Sequence, residues 1–416
     1  MRIAFALIGL AAAGLALPAG AWETELWGRQ LDVHGFLSQG YLKSSEGCNF
    51  FADSGDDEGS FEFTEYGINA GMDATDRIRA GLQIYGRNLG DMGEYEPTLD
   101  WAFVDWRIKD WAGLRGGRIK LAHALYNEYR DYDVLRTPVI LPQSVYLETM
   151  RDAFNSLDGA SAYGSANFGK AGKVSYQAQA GVLDPDVDGG LARYVESVWD
   201  LDVSEIGNDW IYLVNLQWET PVDGLRLGYS HAGFNLTATS HTRPSGLWTM
   251  VGLPVGTEVE LDQEIQANAF SAEYTWGELI LALEYMYVPM EYTLGNDAIG
   301  DVVEGKPVIE AYYGSASYRF TDWFQLGLCY SEYYPNRKDK DGDDVAQMGQ
   351  PRWNGWLKDF GATARFDVWE NWIVKLELHQ MDGGAVMIAA DQMDEEGNYT
   401  NKEHWYLFMA KVSYSF

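Results

Sequence analysis

Basic residues recur at even spacings along three stretches of the chain: Arg77, Arg79 and Arg87, then Arg107 and Lys109, then Arg118 and Lys120. Side chains alternate across a β-strand, so residues an even number apart share a face. On neighbouring strands these cations would form a continuous basic wall. The stretch that follows carries charges of both signs: Glu128, Arg130, Asp131, Asp133, Arg136, Glu148 and Arg151. Such an arrangement does electrostatic chemistry and breaks no bonds. It can select ions at close quarters, or it can pair guanidinium with carboxylate and hold a segment in place. Both roles are open from the residues alone, and one ladder can serve both.

The elements that must position these charges are strands. The chain ends in Tyr414-Ser415-Phe416, and earlier runs end alike: Ala166-Asn167-Phe168, Tyr318-Arg319-Phe320 and Ala364-Arg365-Phe366. Each closes an alternating apolar and polar run and meets a short polar turn. Short turns are expected near 74–76, 110–111, 169–172, 221–223, 276–278, 321–322 and 368–371. Long connections are expected near 44–58, 90–97, 122–157, 183–208, 238–262, 293–307, 335–356 and 383–402. Short turns at one end and long loops at the other describe an all-β, transmembrane antiparallel β-barrel of about 16 strands. At the N-terminus, Arg2, the uncharged apolar run 3–17 and Ala19-Gly20-Ala21 predict a signal peptide over 1–21, leaving one barrel domain over 22–416.

Period-two patterning assigns the faces. Tyr406, Phe408, Ala410, Val412, Tyr414 and Phe416 fall on one face of the last strand, which must meet lipid. Trp210, Tyr212, Val214, Leu216 and Trp218 do the same over 210–219, and Val174, Tyr176, Ala178, Ala180 and Val182 over 173–182. The alternate face is polar, so the interior is wet. Trp111, Trp276, Trp323, Trp369 and Trp372 lie at the short turns, as in an interfacial girdle. Trp405, Leu407 and Met409 form an apolar stretch on the inner face, or else meet an inward loop. With 62 acidic against 30 basic residues and a formal charge of −32, nucleic acid is excluded as a partner by repulsion of phosphate.

The connection 122–157 is unlike the others. Val134, Leu135, Val139, Ile140, Leu141, Val145 and Leu147 interrupt its charges, and so many aliphatic residues in a loop standing in water would expose apolar surface. It is therefore expected to fold inward, as a constriction loop after the fifth strand. Together with the string Gly117-Arg118-Ile119-Lys120-Leu121 running into Tyr126-Asn127-Glu128-Tyr129-Arg130-Asp131, this architecture resembles the Gram-negative general porin superfamily, in its phosphate-selective O/P-like or DcaP-like branch. The resemblance implies a bacterial outer-membrane location, export through the periplasm, contact with lipid and lipopolysaccharide, and a homotrimer. Resemblance to other barrels also makes Phe416 the residue read by the barrel assembly machinery.

Read this way, the function is passive diffusion of small hydrophilic solutes or ions through a water-filled channel. Surplus acid sits in exposed loops, in Asp53, Asp56, Asp57 and Glu58 and in Asp339, Asp341, Asp343 and Asp344. Salt screens it beyond a Debye length of about 8 Å. The inner basic wall then decides, with a weak preference for anions. A cation-preferring pore with an acidic vestibule is the alternative, and a hydrophobic-solute channel is a further one. No enzyme is expected. Ser230 and His231 are adjacent, point to opposite faces and cannot form the dyad of an outer-membrane phospholipase. No cofactor or metal is expected either: 339–343 lacks the calcium-loop spacing, and the six histidines lack zinc spacing. Cys48 in a loop and Cys329 in mid-strand are not expected to pair.

Overall fold

The computed structural model describes residues 22–26, 28–296, 298, 300–394 and 397–416. The expected signal peptide, 1–21, lies outside the described residues. Of the nineteen strands in its sheet, sixteen form a closed ring: β1 Arg29–Ser44, β2 Phe63–Thr75, β3 Ile78–Leu89, β4 Thr98–Lys109, β5 Ala112–Lys120, β6 Ser156–Asn167, β7 Lys173–Val182, β8 Ile211–Glu219, β9 Leu225–Thr242, β10 Glu258–Trp276, β11 Leu279–Asn296, β12 Val308–Thr321, β13 Phe324–Tyr334, β14 Leu357–Trp369, β15 Trp372–Gly383 and β16 His404–Ser415. Each pairs antiparallel with the next, and β16 pairs with β1. The remaining three are appendages. Trp22–Leu26 pairs with the start of β1, Leu201–Gly207 with the far end of β9, and Gly300–Gly305 with the far end of β11.

Closure satisfies every edge, the condition for a sheet to sit in hydrocarbon. At the seam Gly35 N–H donates to the Phe416 carbonyl at 3.1 Å, and Phe416 N–H donates back at 2.9 Å. A side chain at position 35 would stand 2.7 Å from the Phe416 ring, so the terminal ring lies directly over that glycine.

The burial pattern is the reverse of a water-soluble sheet. Leu82, Val104, Leu216, Leu283 and Leu378 are exposed, Leu283 by 60%, while their neighbours Gln83, Asp105, Asn215, Glu284 and Glu377 are buried. Apolar residues outside and polar residues inside are what a lipid-facing barrel requires. The short turns fall at one end, at 76–77, 110–111, 277–278, 322–323 and 370–371 among others. Trp111, Trp276, Trp323 and Trp369 are exposed beside them. Trp372 departs from that girdle: it is buried against Val412 and Tyr414, its ring 5.0 Å from that of Tyr414.

Two long connections are shorter than the sequence suggests, because the flanking strands run further. β9 runs to Thr242 and β10 starts at Glu258, and within 293–307 β11 continues to Asn296 and the appended strand Gly300–Gly305 follows. The helix Gly190–Trp199 and the strand Leu201–Gly207 fill 183–208. Their apolar residues bury Leu201, Trp248, Val259, Leu261 and Leu294 in a small core of their own.

The seam yields a first prediction. Phe416→Ser removes the ring that covers Gly35, and it should lower the fraction of heat-modifiable folded barrel in refolding and in membranes. Wild-type folding at equal expression would contradict that role.

Candidate functional site

The segment 121–155, between β5 and β6, has little regular structure: short 3-10 turns at Asn127–Tyr129 and Asp133–Leu135 and one helical turn at Arg151–Phe154. Its backbone groups therefore need partners elsewhere, because a buried amide left unpaired is costly. Strand side chains supply them. Glu377 accepts from Val139 N–H at 2.7 Å, Glu284 from Leu125 N–H at 2.9 Å, Gln179 from Ala122 N–H at 3.0 Å and Ser230 from Ala124 N–H at 3.0 Å. In the other direction Lys375 donates to the carbonyls of Asp133 and Pro138, each at 2.9 Å. Arg365 donates to those of Val134 and Arg136 at 2.9 and 3.0 Å. These partners come from β7, β9, β11, β14 and β15, and each is on the buried face of its strand.

Apolar packing joins the segment to the same wall. Leu125, Val139, Ile140, Leu141 and Val145 share one core with Met286, Val288, Trp405, Leu407 and Met409. That is where the apolar inner stretch of β16 goes. Val134 and Leu135 do not join it and stay exposed.

Charges make two networks. In the first, Asp131 binds Arg151 and Lys120, and Asp100 binds the same two at 3.1 and 3.3 Å. Arg87 pairs with Asp152 at 2.6 Å and Glu148 at 3.5 Å, and Arg130 pairs with Glu148 at 2.8 Å. In the second, Asp133 meets Arg136 at 2.9 Å, Lys411 at 2.8 Å and Lys375 at 3.5 Å, and it accepts from Ser413 Oγ at 2.6 Å. Lys411 also pairs with Glu65 of β2. Burial alone would raise the carboxyl of Glu148, but Arg130, Arg87 and Arg136 hold it down to about 2. Burial opposes ionisation of Asp133 as well, and Lys411, Lys375 and Arg136 hold it well below its ordinary value. Asp131 is lowered in the same way by Arg151 and Lys120. Glu128, half-buried and without an ion pair among the described residues, is raised by burial.

The basic residues of the sequence thus divide. Arg87 and Lys120 anchor the segment. Arg79, Arg107 and Lys109 are exposed and form no ion pair among the described residues, and Arg79 and Arg107 line a hollow of about 340 Å³. Arg77 is not on a strand: it lies in the turn before β3. Arg118 is not on the inner face at all. It stands opposite outward-facing Ala102 and pairs with Asp158 at 3.4 Å and Asp184 at 3.0 Å. The register places Arg115 inward in its stead, opposite Asp105 and ion-paired to it at 3.1 Å. Apolar Leu114, which must face lipid, was the signal for that parity; the Gly116-Gly117 pair obscured it. Sequence reasoning also missed Glu65, Asp100, Glu284, Lys375, Glu377 and Lys411. Lys375 and Glu377 were visible as charges alternating with Leu376 and Leu378 on a lipid-facing strand.

Ser230 and His231 point to opposite faces. Ser230 Oγ lies inside, 3.3 Å from His123 Nδ1 of the segment, while His231 bonds Asn268 at 3.0 Å. Burial lowers His123 to about 4, so this imidazole is neutral near pH 7 and holds no charge in the interior.

No protein-family model matches the chain, and no curated protein matches it by sequence. Solved structures do. An OmpF from Salmonella typhi, in complex with daunomycin, aligns over 95% of this chain and 100% of its own at 13% identity and TM-score 0.56. The outer membrane channel DcaP of Acinetobacter baumannii aligns over 93% and 97% at 9% identity and TM-score 0.55. An anion-selective porin from Comamonas acidovorans aligns over 93% and 100% at 12% identity and TM-score 0.53. At these identities the likeness is one of fold.

The buried networks and the exposed Arg118 pair differ in what their loss should cost. Asp133→Asn leaves Arg136, Lys375 and Lys411 short of their shared anion in a buried site. It should cost about 3 kcal/mol or more of stability in denaturant unfolding of the refolded protein. Arg118→Gln, which breaks only an exposed pair, should cost under about 1 kcal/mol. Because Asp131, Asp133 and Glu148 are held below their ordinary range, the stability they contribute is complete above the ordinary glutamate value of 4.5 and drains as pH falls toward about 2 and below. Unfolding midpoints that are insensitive to pH across that window would contradict these pairings.

Proposed function

We propose that the chain is an outer-membrane porin: a barrel that passes small hydrophilic solutes by diffusion, with the segment 121–155 folded into its lumen as the constriction and with a preference for anions. The observation that carries this reading is a closed sixteen-strand ring with an apolar exterior, on whose inner face a charged segment is bonded to strands around the ring. Lipid outside and water inside are the solvents that fit such a surface. Likeness to outer-membrane channels of known structure supports the same location.

The anion preference rests on which charges remain uncommitted. Three acids of the segment, Asp131, Asp133 and Glu148, are spent on buried cations, and burial disfavours the charge of Glu128, which has no ion pair among the described residues. Arg79, Arg107 and Lys109 are exposed on the inner face of β3 and β4, and a cation near a narrow path attracts anions and repels cations. The opposing reading, a cation-preferring vestibule, rests on exposed loop acids such as Asp53, Asp56 and Asp57, whose field salt screens within about 8 Å. Homotrimer assembly, contact with lipopolysaccharide and recognition of Phe416 by the assembly machinery belong to the same proposal. The chemistry favours no covalent step, since Ser230 is enclosed and His123 pairs with no carboxylate among the described residues.

Planar-bilayer recording of the purified protein tests the reading. Discrete ohmic steps are expected, with a reversal potential in a salt gradient on the anion side. Arg79→Glu with Arg107→Glu should move the permeability ratio toward cations by about twofold or more, since a few tenths of a kcal/mol suffice for that change. Arg118→Glu, on the outer face, should leave it in place. The reverse ranking, or control by Asp53, Asp56 and Asp57, would assign selectivity to the vestibule.

A further inference from the structure

The hollow beside Arg79 and Arg107 has a composition that ion selection alone does not call for. Trp101 and Phe103 stand on the inner face of β4, where a wet wall would carry polar residues, and their rings are stacked with centroids 5.3 Å apart and planes 24° apart. Arg115 lies over the Phe103 ring at 4.5 Å and near the Tyr163 ring at 5.3 Å. Its Nε donates to Asp105 at 3.1 Å, and Tyr163 Oη donates to the other oxygen of that carboxylate at 2.7 Å. Arg115, Asp105 and Tyr163 are thereby bonded to one another and form the back of the hollow.

Two guanidinium groups remain. Arg79 and Arg107 line the same hollow, are exposed, and have no ion-paired carboxylate among the described residues; Asp32 is the one other acid in its lining. The space, about 340 Å³, lies at the small end of the range of ligand pockets, from about 300 Å³ upward. That is room for a molecule with a single ring. A flat ring stacks on exposed aromatic faces, and a carboxylate fits the fork of a guanidinium. An inorganic anion would use the arginines and leave the rings idle, whereas a neutral sugar would use the rings and leave the arginines unpaired.

We propose that this hollow is a binding site for a small organic anion with a flat unsaturated ring, the ring against Trp101 and Phe103 and the carboxylate between Arg79 and Arg107. The proposal deepens the channel reading of the preceding subsection, because the site opens on the same lumen. It gives the pore a solute class rather than a charge sign alone.

Benzoate, acetate and benzyl alcohol separate the alternatives on the full-length protein refolded in detergent, with binding followed by ligand-observed NMR titration. Benzoate should bind about tenfold more tightly than either acetate or benzyl alcohol. Arg79→Gln with Arg107→Gln should abolish that advantage while the barrel remains heat-modifiable. Trp101→Leu should reduce benzoate to the level of acetate. Equal binding of benzoate and acetate, binding of benzyl alcohol as strong as that of benzoate, or no benzoate binding would each overturn the proposal. In bilayers benzoate should partly block the current, and the arginine variant should relieve the block. A protein that binds benzoate but conducts no current would refute the channel reading and leave the site standing.

Discussion

Asp133 is the group on which the interior depends. One carboxylate takes Arg136 from its own segment, Lys411 and Ser413 from β16 and Lys375 from β15. These strands adjoin the seam where the last strand meets the first. Taking several charges out of water carries a desolvation cost that only close, well-bonded partners offset. The segment between β5 and β6 therefore has one place where its charge fits. A displacement of a few ångströms would leave buried Arg136 and Lys375 without that carboxylate and Lys411 with Glu65 alone.

That constraint explains why the remainder of the segment needs no regular structure of its own. With Asp131 held by Arg151 and Lys120 and, two residues on, Asp133 held by Lys375 and Lys411, the backbone from Asp133 to Val139 is bonded by strand side chains such as Lys375 and Glu377. Its aliphatic residues meet a stretch of inner wall that is itself apolar, around Met286, Val288, Leu407 and Met409. A simple barrel alternates apolar and polar between its two faces. Here the alternation fails on part of the inner face, and it fails where the segment covers it.

Commitment of charge on one side also defines what is left on the other. Arg87, Arg130 and Arg151 are consumed in ion pairs that hold the segment, each neutralising the acid it binds. Arg79 and Arg107 lie toward the short-turn end of β3 and β4 and are not consumed. Anchoring and selection are both readable in the same basic ladder; along β3, Arg87 is ion-paired to the segment, whereas Arg79 forms no ion pair among the described residues.

Much of the architecture lay in the sequence because its determinants are local. The period-two pattern of Trp210, Tyr212, Val214, Leu216 and Trp218, the short turns between runs and the closing Phe416 depend only on neighbours along the chain. Strand number and the lipid face follow from them. The partners of the charges were not local. Nothing within β15 distinguishes Lys375, which reaches Asp133, from a lysine facing water, since its partner lies 242 residues away in sequence. Parity was equally undetermined where the pattern is thin. Through Gly116 and Gly117 a shift of one residue exchanges Arg115 for Arg118, and only hydrogen-bonded register with β4 settles which guanidinium faces the lumen. Alternation along one strand determined the barrel; pairing across strands, chosen in three dimensions among many similar charges, decided which residues anchor the segment and which remain free.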